Sequence, residues 1–106
     1  MRVLGIDPGL GSCGWGVLEN EGGKTTALAY DCLSTAKDKD TPERLAELFD
    51  KVTALLKSYH PDIVVLEDLF FNTNAKTVIT IGEARGVIML AAQKQKIPVL
   101  SYPPLE

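Results

Sequence analysis

The first third of the chain alternates apolar and polar residues in the way that strands do. Residues 2–7 contain the apolar run Val-Leu-Gly-Ile, which predicts a buried strand. Residues 13–18 alternate Cys, Trp and Val with Gly, Gly and Leu, which predicts a second strand with two glycines on one face. A Gly-Gly pair at 22–23 predicts a hairpin turn before a third strand at residues 25–33. The pattern therefore predicts an antiparallel meander of three strands.

Two later segments carry apolar residues at helical spacing. The first begins at Thr41, predicted as the N-cap, with Pro42 at the first helical position. Its apolar stripe runs to Tyr59, and Pro61 ends the helix. The second helix is predicted over residues 74–95 and is apolar on two sides. Because a surface helix needs only one apolar side, we expect this helix to contact a second element or a second chain.

Two more strands flank the second helix. Residues 62–67 contain the continuous apolar run Ile-Val-Val-Leu, typical of a strand buried on both faces of a parallel sheet. Residues 97–102 predict a last strand. The order β-β-β-α-β-α-β indicates an α/β fold with one five-stranded mixed sheet, in which two crossover helices with parallel strands follow the meander. A length of 106 residues allows a single domain, which we place at residues 1–104.

Composition excludes several classes of protein. With 45% apolar and 24% charged residues, the chain resembles an ordinary globular domain and not a collagen-like, low-complexity or disordered protein. Its longest apolar run is far too short to cross a membrane, and no signal segment opens the chain. We therefore expect a cytoplasmic protein without a membrane partner.

Charge is distributed unevenly along the chain. The net charge of −3 argues by itself against a general nucleic-acid binder. Residues 1–69 hold seven basic and twelve acidic side chains, whereas residues 70–106 hold four basic and two acidic ones. The acidic average therefore conceals a basic segment at the end of the chain.

Cysteine and histidine are too few for several kinds of chemistry. Cys13 and Cys32 lie in apolar strand patterns, so we expect both to be reduced packing residues, with Leu28 and Tyr30 on the strand face of Cys32. No paired-cysteine spacing occurs, and the position of His60 just after a helix explains it, so a usual zinc site is excluded.

Two acidic residues end apolar strands. Asp7 is followed by Pro8-Gly9, which on its own is explained by a turn, and Glu67 ends the strand at 62–67. If these strands are parallel neighbours, the two acids lie side by side and repel each other unless a cation binds between them. Oxygen ligands without histidine or cysteine suit Mg²⁺, with Mn²⁺ as a substitute. Carboxylates that hold such metals are the usual apparatus for displacement at phosphorus.

The segment after Glu67 combines aromatic, polar and basic side chains. Phe70 and Phe71 are either core residues or platforms on which unpaired bases stack. Asn74 and Lys76, at the start of the second helix, would then lie near phosphate. Arg85 is either a further contact of this kind or a solvated surface charge.

These residues, in this order, resemble a known family. Gly-Ile-Asp-Pro-Gly at 5–9, Gly-Trp-Gly-Val at 14–17, Glu67 with Phe70, and Gly-Glu-Ala-Arg-Gly-Val at 82–87 are similar to the RuvC-type Holliday junction resolvases. The first motif alone is shared by many nucleases and kinases. The ordered combination covers essentially the whole chain and is specific.

The resemblance implies an RNase H-like fold and a Mg²⁺-dependent endodeoxyribonuclease that acts in recombination and repair. Its substrate would be four-way junction DNA. Its partners would be a second copy of the chain, bound through the helix at 74–95, and a branch-migration helicase complex. Asp7 and Glu67 match the first two catalytic acids of the family. Phe70 matches an aromatic residue near the junction crossover, and Lys76 matches the same DNA-facing loop more loosely.

One departure from the family is large. The last two of its four catalytic carboxylates lie on a final helix that has no counterpart in these 106 residues. Leu105 and Glu106 resemble a cloning scar, so we expect a fragment that cleaves junctions weakly or not at all. Two alternatives remain: a non-catalytic DNA-binding or dimerisation fragment, and an actin-like ATPase or sugar kinase whose phosphate loop would be built on Asp7.

Overall fold

A computed structural model describes residues 1–67 and 74–102 and shows one five-stranded sheet with two helices on one face. The elements in chain order are β1 (Arg2–Asp7), β2 (Ser12–Glu21), β3 (Lys24–Ser34), α1 (Thr41–Tyr59), β4 (Ile63–Glu67), α2 (Ala75–Lys94) and β5 (Val99–Tyr102). The strand order is β3-β2-β1-β4-β5; β2 is antiparallel to β1 and β3, and β4 is parallel to β1 and β5. The predicted mixed sheet is confirmed.

The hairpin between β2 and β3 turns at Gly22 and Gly23, whose φ angles are 58° and 79°. Positive φ at both central residues suits the right-handed twist of the flanking strands, and glycine adopts it without strain. Pairing continues up to this turn, so both strands are longer than the sequence predicts.

The register of β2 on β3 overturns one packing prediction. It shifts between Val17 and Leu18, which leaves Leu28 unpaired at a bulge. Cys32 pairs with Gly14 and is exposed, as is Tyr30. The prediction that Cys32 is a packing residue is therefore wrong, because it lies on the face away from the helices.

The core lies between the sheet and the two helices. Alternate residues of β1, β2 and β4 face the helices, as the strand period requires. Fully buried side chains from both layers include Leu4, Val17, Leu48, Val52, Val64 and Ile88. Each contributes about 1.5–3 kcal/mol relative to an exposed position. The predicted stripe of α1 is thus confirmed as a core face.

Both ends of α1 are capped. Asp40, and not Thr41 as predicted, is the N-cap: its carboxylate accepts a 3.1 Å hydrogen bond from the Glu43 amide. Thr41 is instead the first helical residue. At the other end His60 adopts a left-handed conformation, and its N–H donates to the Leu56 carbonyl.

The two sides of α2 have different surroundings. Ala84 and Ile88 are fully buried, whereas Ile79 is 63% exposed and Leu90 is 51% exposed. The two-sided pattern is therefore confirmed: one side packs in the core and the other is open. No helix within residues 1–67 and 74–102 combines the length and apolarity needed to span a membrane.

Arg2 closes the amino end of the sheet. Its amide donates to the Asp62 carboxylate at 2.7 Å, and its guanidinium donates to the Tyr59 carbonyl at 2.6 Å and pairs with Glu19 at 3.2 Å. The end of α1 and the start of β4 are thereby fixed beside β1. Asp7 and Glu67, the candidate catalytic acids, lie at the opposite end of the same strands.

Candidate functional site

Asp7 and Glu67 occupy equivalent positions on neighbouring strands. β1 and β4 pair in parallel with Ile6 opposite Leu66, and the two acids are the next residues along each strand. Because paired strands lie about 4.8 Å apart, the acids end the two strands side by side. The sheet confirms that these strands are parallel neighbours. The chemical roles of the acids stay predictions.

Strand alternation places both acids on the face away from the helices. Ile6 and Leu66 are buried toward the helices, so Asp7 and Glu67 point the other way. Asp7 is exposed and Glu67 is half-buried. On the same face, Val65 is only half-buried, so the expectation that β4 is buried on both faces is not met in this structure.

Glycines surround Asp7 on this face. Asp7 pairs with Gly14, and the neighbouring pair is Gly5 with Gly16. A Cβ atom at Gly14 would find nothing within 4 Å. The sheet surface beside the acids therefore carries no side chains at these positions, which lets a large ligand reach the carboxylates.

The loop between β1 and β2 is tightly folded. A Cβ atom on Gly9 would lie 2.3 Å from the Ser12 carbonyl oxygen, so no larger residue fits without a shift of the backbone. Cys13 lies behind this loop. Burial raises the pKa of its thiol to about 11, although a hydrogen bond from the Gly9 backbone acts in the opposite direction.

Polar contacts centred on Thr35 and Glu47 hold this loop and the end of β3 against α1. Thr35, a buried polar residue, donates to the Leu10 carbonyl at 2.5 Å and accepts from Arg44 Nε at 3.0 Å. The Ala36 amide donates to Glu47 at 3.0 Å, and Lys51 pairs with Glu47 at 2.9 Å. The hydrogen bonds that Glu47 accepts lower its pKa; the bond from the Ala36 amide has the larger effect, followed by the bond from Lys51.

The start of α2 lies near the same edge. Asn74 is its N-cap and accepts from the Thr77 amide at 3.2 Å, so this predicted DNA contact also has a structural role. Lys76 is exposed in the first turn. Phe70 and Phe71, predicted as stacking residues, lie outside the described residues.

Arg85 does not extend into solvent. It is half-buried, and its guanidinium donates to Ser101 Oγ on β5 and contacts the Met89 sulfur at 3.5 Å. Ser101 pairs with Leu66, directly before Glu67. The interpretation of Arg85 as a solvated surface charge is therefore wrong, and the side chain lies beneath the acidic edge on the helix side.

The donor set of the acidic pair fits a hard cation. Within residues 1–67 and 74–102, no group of three or more His, Cys, Asp or Glu side chains is placed to hold a metal. Two carboxylates are nevertheless a usual protein contribution to Mg²⁺, which keeps several waters and shares substrate phosphates. Asp7 and Glu67 would hold the ion.

Sequence reasoning missed a cavity beside this edge. It has a volume of about 420 Å³ and lies between the β1–β2 loop, Arg44 of α1 and the first turns of α2. Arg44 lies in the first turn of a helix that begins at the same edge of the sheet as the acids. A basic residue at this position is the feature of the sequence from which the cavity could have been predicted.

Known proteins resemble this chain over nearly all of its length. A family model described as crossover junction endodeoxyribonuclease RuvC matches residues 3–106. A crossover junction endodeoxyribonuclease RuvC from Moorella thermoacetica is 44% identical over 106 residues, which are 100% of this chain and 64% of that protein. The chain spans about six tenths of the length of such curated relatives.

Solved structures show the same fold. RuvC from Thermus thermophilus in complex with a Holliday junction substrate superposes with a TM-score of 0.90 at 30% identity, over 98% of this chain and 66% of that one. The yeast mitochondrial Holliday junction resolvase Ydc2 gives a TM-score of 0.68 at 17% identity over 96% of this chain and 52% of that one, and so shows the RNase H-like fold alone. The actin-like alternative gains no support from the family match. The chain belongs to the RuvC family of crossover junction endodeoxyribonucleases.

Proposed function

We propose that this chain binds four-way junction DNA and supplies two of the carboxylates with which a resolvase hydrolyses DNA phosphodiesters. The observation that carries the proposal is the position of Asp7 and Glu67 at the ends of paired parallel strands, beside a surface of glycines. This activity serves DNA recombination and repair, and we place the protein in the cytoplasm.

Asp7 and Glu67 bind Mg²⁺, for which Mn²⁺ can substitute. When bound, the ion would supply an activated water and would stabilise the leaving oxygen of the phosphodiester. The part of Asp7 and Glu67 is to hold the ion beside the glycine surface, where the phosphate would be placed. The family resemblance implies two further catalytic carboxylates that these residues do not supply. We therefore expect weak cleavage or none by these 106 residues alone.

DNA contacts are assigned to the segment that leads into α2. Phe70 and Phe71 stack on unpaired bases, and Asn74 and Lys76 lie beside phosphate. Lys76 supports this assignment because it is exposed at the cavity next to the acidic edge. Arg85 lies on the helix side of the sheet, and its part is indirect: it donates a hydrogen bond to Ser101 of β5.

A homodimer forms through the open side of α2. Ile79 and Leu90 are exposed there, and a Cβ atom at Gly82 or Gly86 would find nothing within 4 Å. An apolar stripe with two small residues allows close approach of a second helix. The branch-migration helicase that the family resemblance implies is a further partner of the whole protein.

The test separates binding from cleavage. Binding of a four-way junction and a linear duplex of the same sequence is compared by gel shift in EDTA over a range of salt. We expect tighter binding of the junction, and we expect any nicking in Mg²⁺ to be weak and to be abolished by Asp7→Asn. Nicking that persists in Asp7→Asn, or equal binding of both DNAs, would contradict the proposal.

A further inference from the structure

The cavity beside the acidic pair is formed by three segments that are distant in sequence. Its volume is about 420 Å³. Residues 8–12 of the β1–β2 loop form one wall, and Arg44 of α1 forms another. The third wall is α2, through Lys76, Thr77 and Thr80. The first wall begins directly after Asp7 in the chain, so the cavity lies at the end of the sheet where the two acids end their strands, although the acids project from the face away from the helices.

The charge of this cavity is positive. Arg44 and Lys76 are the charged residues of its described lining, which includes no carboxylate. Within residues 1–67 and 74–102, the ion pairs are formed by Arg2 and Lys51, and neither Arg44 nor Lys76 takes part in one. In a chain of net charge −3, two uncompensated cations facing one cavity favour an anionic ligand.

Arg44 is held in place for such a ligand. Its Nε atom donates to Thr35 Oγ1 at 3.0 Å, and its Nη2 atom lies against Gly11, where a Cβ atom would be 3.4 Å away. In the described part of the chain, no hydrogen bond engages its two terminal nitrogens. A guanidinium fixed through Nε presents these nitrogens as a fork, which matches the oxygens of a phosphate group.

The start of α2 adds to this potential. Its first turn carries no acidic side chain, whereas the first turn of α1 contains Glu43. The turn that contributes Lys76 and Thr77 to the cavity wall is also the positive end of the α2 dipole, and no acid of that turn offsets it.

We propose that this cavity binds a phosphate group of one DNA strand, adjacent to the phosphate that is hydrolysed at Asp7 and Glu67 but distinct from it. This inference rests on the proposed function, since it assumes that the strand lies across the acidic pair. Residues 8–12 of the cavity wall follow Asp7 directly in the chain, so a DNA strand that lies across Asp7 passes close to this wall. Fixing a neighbouring phosphate here orients the attacked one.

The experiment titrates the isotopically labelled chain in EDTA and follows its amide and Arg Nε resonances by NMR. The two probes are inorganic phosphate and a single-stranded tetrathymidylate. We expect the oligonucleotide to shift the amides of Gly11 and Thr77 and the Nε resonance of Arg44. Arg44→Gln is expected to weaken oligonucleotide binding about tenfold, as for loss of a hydrogen bond to a charged group.

Further variants separate charge from geometry. Lys76→Gln is expected to weaken binding several-fold and to lower the salt slope by about one. Arg44→Lys keeps the charge and loses the fork, so its affinity falls between those of the wild type and Arg44→Gln. Lys57→Gln and Lys94→Gln remove the same charge in the last turns of α1 and α2 and are expected to bind as the wild type does.

Each outcome decides the assignment. Shifts at the cavity with inorganic phosphate but not with the oligonucleotide would overturn the DNA assignment in favour of a free phosphate. Shifts elsewhere only, or unchanged affinity in Arg44→Gln and Lys76→Gln, would overturn the cavity as a phosphate site. Cavity shifts in a protein that binds junction and linear DNA equally would support the phosphate site and contradict the proposed function alone.

Discussion

Asp7 and Glu67 each lie one position beyond the register pair Ile6 and Leu66, at the carboxyl ends of two parallel strands. Both project from the sheet face that α1 and α2 leave uncovered. Two carboxylates in this arrangement repel each other in the absence of a cation. Their proximity therefore couples metal binding to the stability of the fold.

Metal-linked stability tests this coupling. At Mg²⁺ concentrations near one hundred times its Kd, we expect the free energy of unfolding to rise by about 2.7 kcal/mol. Asp7→Asn and Glu67→Gln should lose this gain, and in EDTA they should be at least as stable as the wild type because the repulsion is gone. Urea denaturation with and without Mg²⁺ measures both effects. Asp50→Asn, an exposed change of the same charge on α1, is expected to keep the gain.

Gly9→Ala tests the loop that follows Asp7. The added Cβ atom meets the Ser12 carbonyl oxygen at 2.3 Å, so the backbone must shift, and we expect a loss of about 1–3 kcal/mol. Gly14→Ala is the matched control: its Cβ atom meets nothing within 4 Å, and we expect a change of less than about 1 kcal/mol. Equal urea midpoints for the two variants would show that the loop is not tightly constrained.

The two thiols should differ in reactivity. Burial raises the pKa of Cys13 to about 11, so its thiolate is scarce at pH 8, whereas Cys32 is exposed. We expect one fast-reacting thiol in the native chain and two in guanidinium, with none fast in native Cys32→Ser. Because the folded state holds the Cys13 proton more tightly, stability should fall as the pH rises from the ordinary cysteine value toward 11.

Glu47 should stabilise the fold in a pH-dependent way. Hydrogen bonds from the Ala36 amide and from Lys51 lower its pKa, so its contribution is present above the ordinary glutamate pKa and lost as the pH falls through the lowered value. We expect Glu47→Gln to have a lower Tm than the wild type at pH 7, with the difference shrinking in acid. A constant difference at all pH values would show that ionisation of Glu47 is not involved.

The open side of α2 should control oligomeric state. Ile79→Asp places a charge where the proposed dimer buries an apolar residue, and we expect the dimer to dissociate at least tenfold more readily, as for about 1.4 kcal/mol or more. Analytical ultracentrifugation measures the change. Ala46→Asp, at an exposed position of α1, is expected to leave the dimer intact. A monomeric wild type would contradict the proposed dimer.

Local patterns in the sequence predict every element of the fold. The apolar run of β4, the stripe of α1 and the Gly-Gly turn each act over a few neighbouring residues, so their effect can be derived without tertiary contacts. The prediction of Thr41 as N-cap fails because Asp40 also carries a capping oxygen, and the choice between two adjacent residues depends on how the chain enters the helix. The prediction that Cys32 is a packing residue fails because the bulge at Leu28 alters the register of β3, and the apolar pattern of the sequence does not reveal a bulge.

The sequence by itself determined the family and the element order and singled out Asp7 and Glu67 as candidates, because motifs and periodicity are properties of the chain alone. Tertiary structure decided what these residues meet. Strand register placed Asp7 beside Glu67 on the uncovered face, and helix packing turned Arg85 toward Ser101. The convergence of Arg44 and Lys76 on one cavity joins two helices separated by β4. Such a meeting depends on crossover geometry over some thirty residues, and no local pattern encodes it.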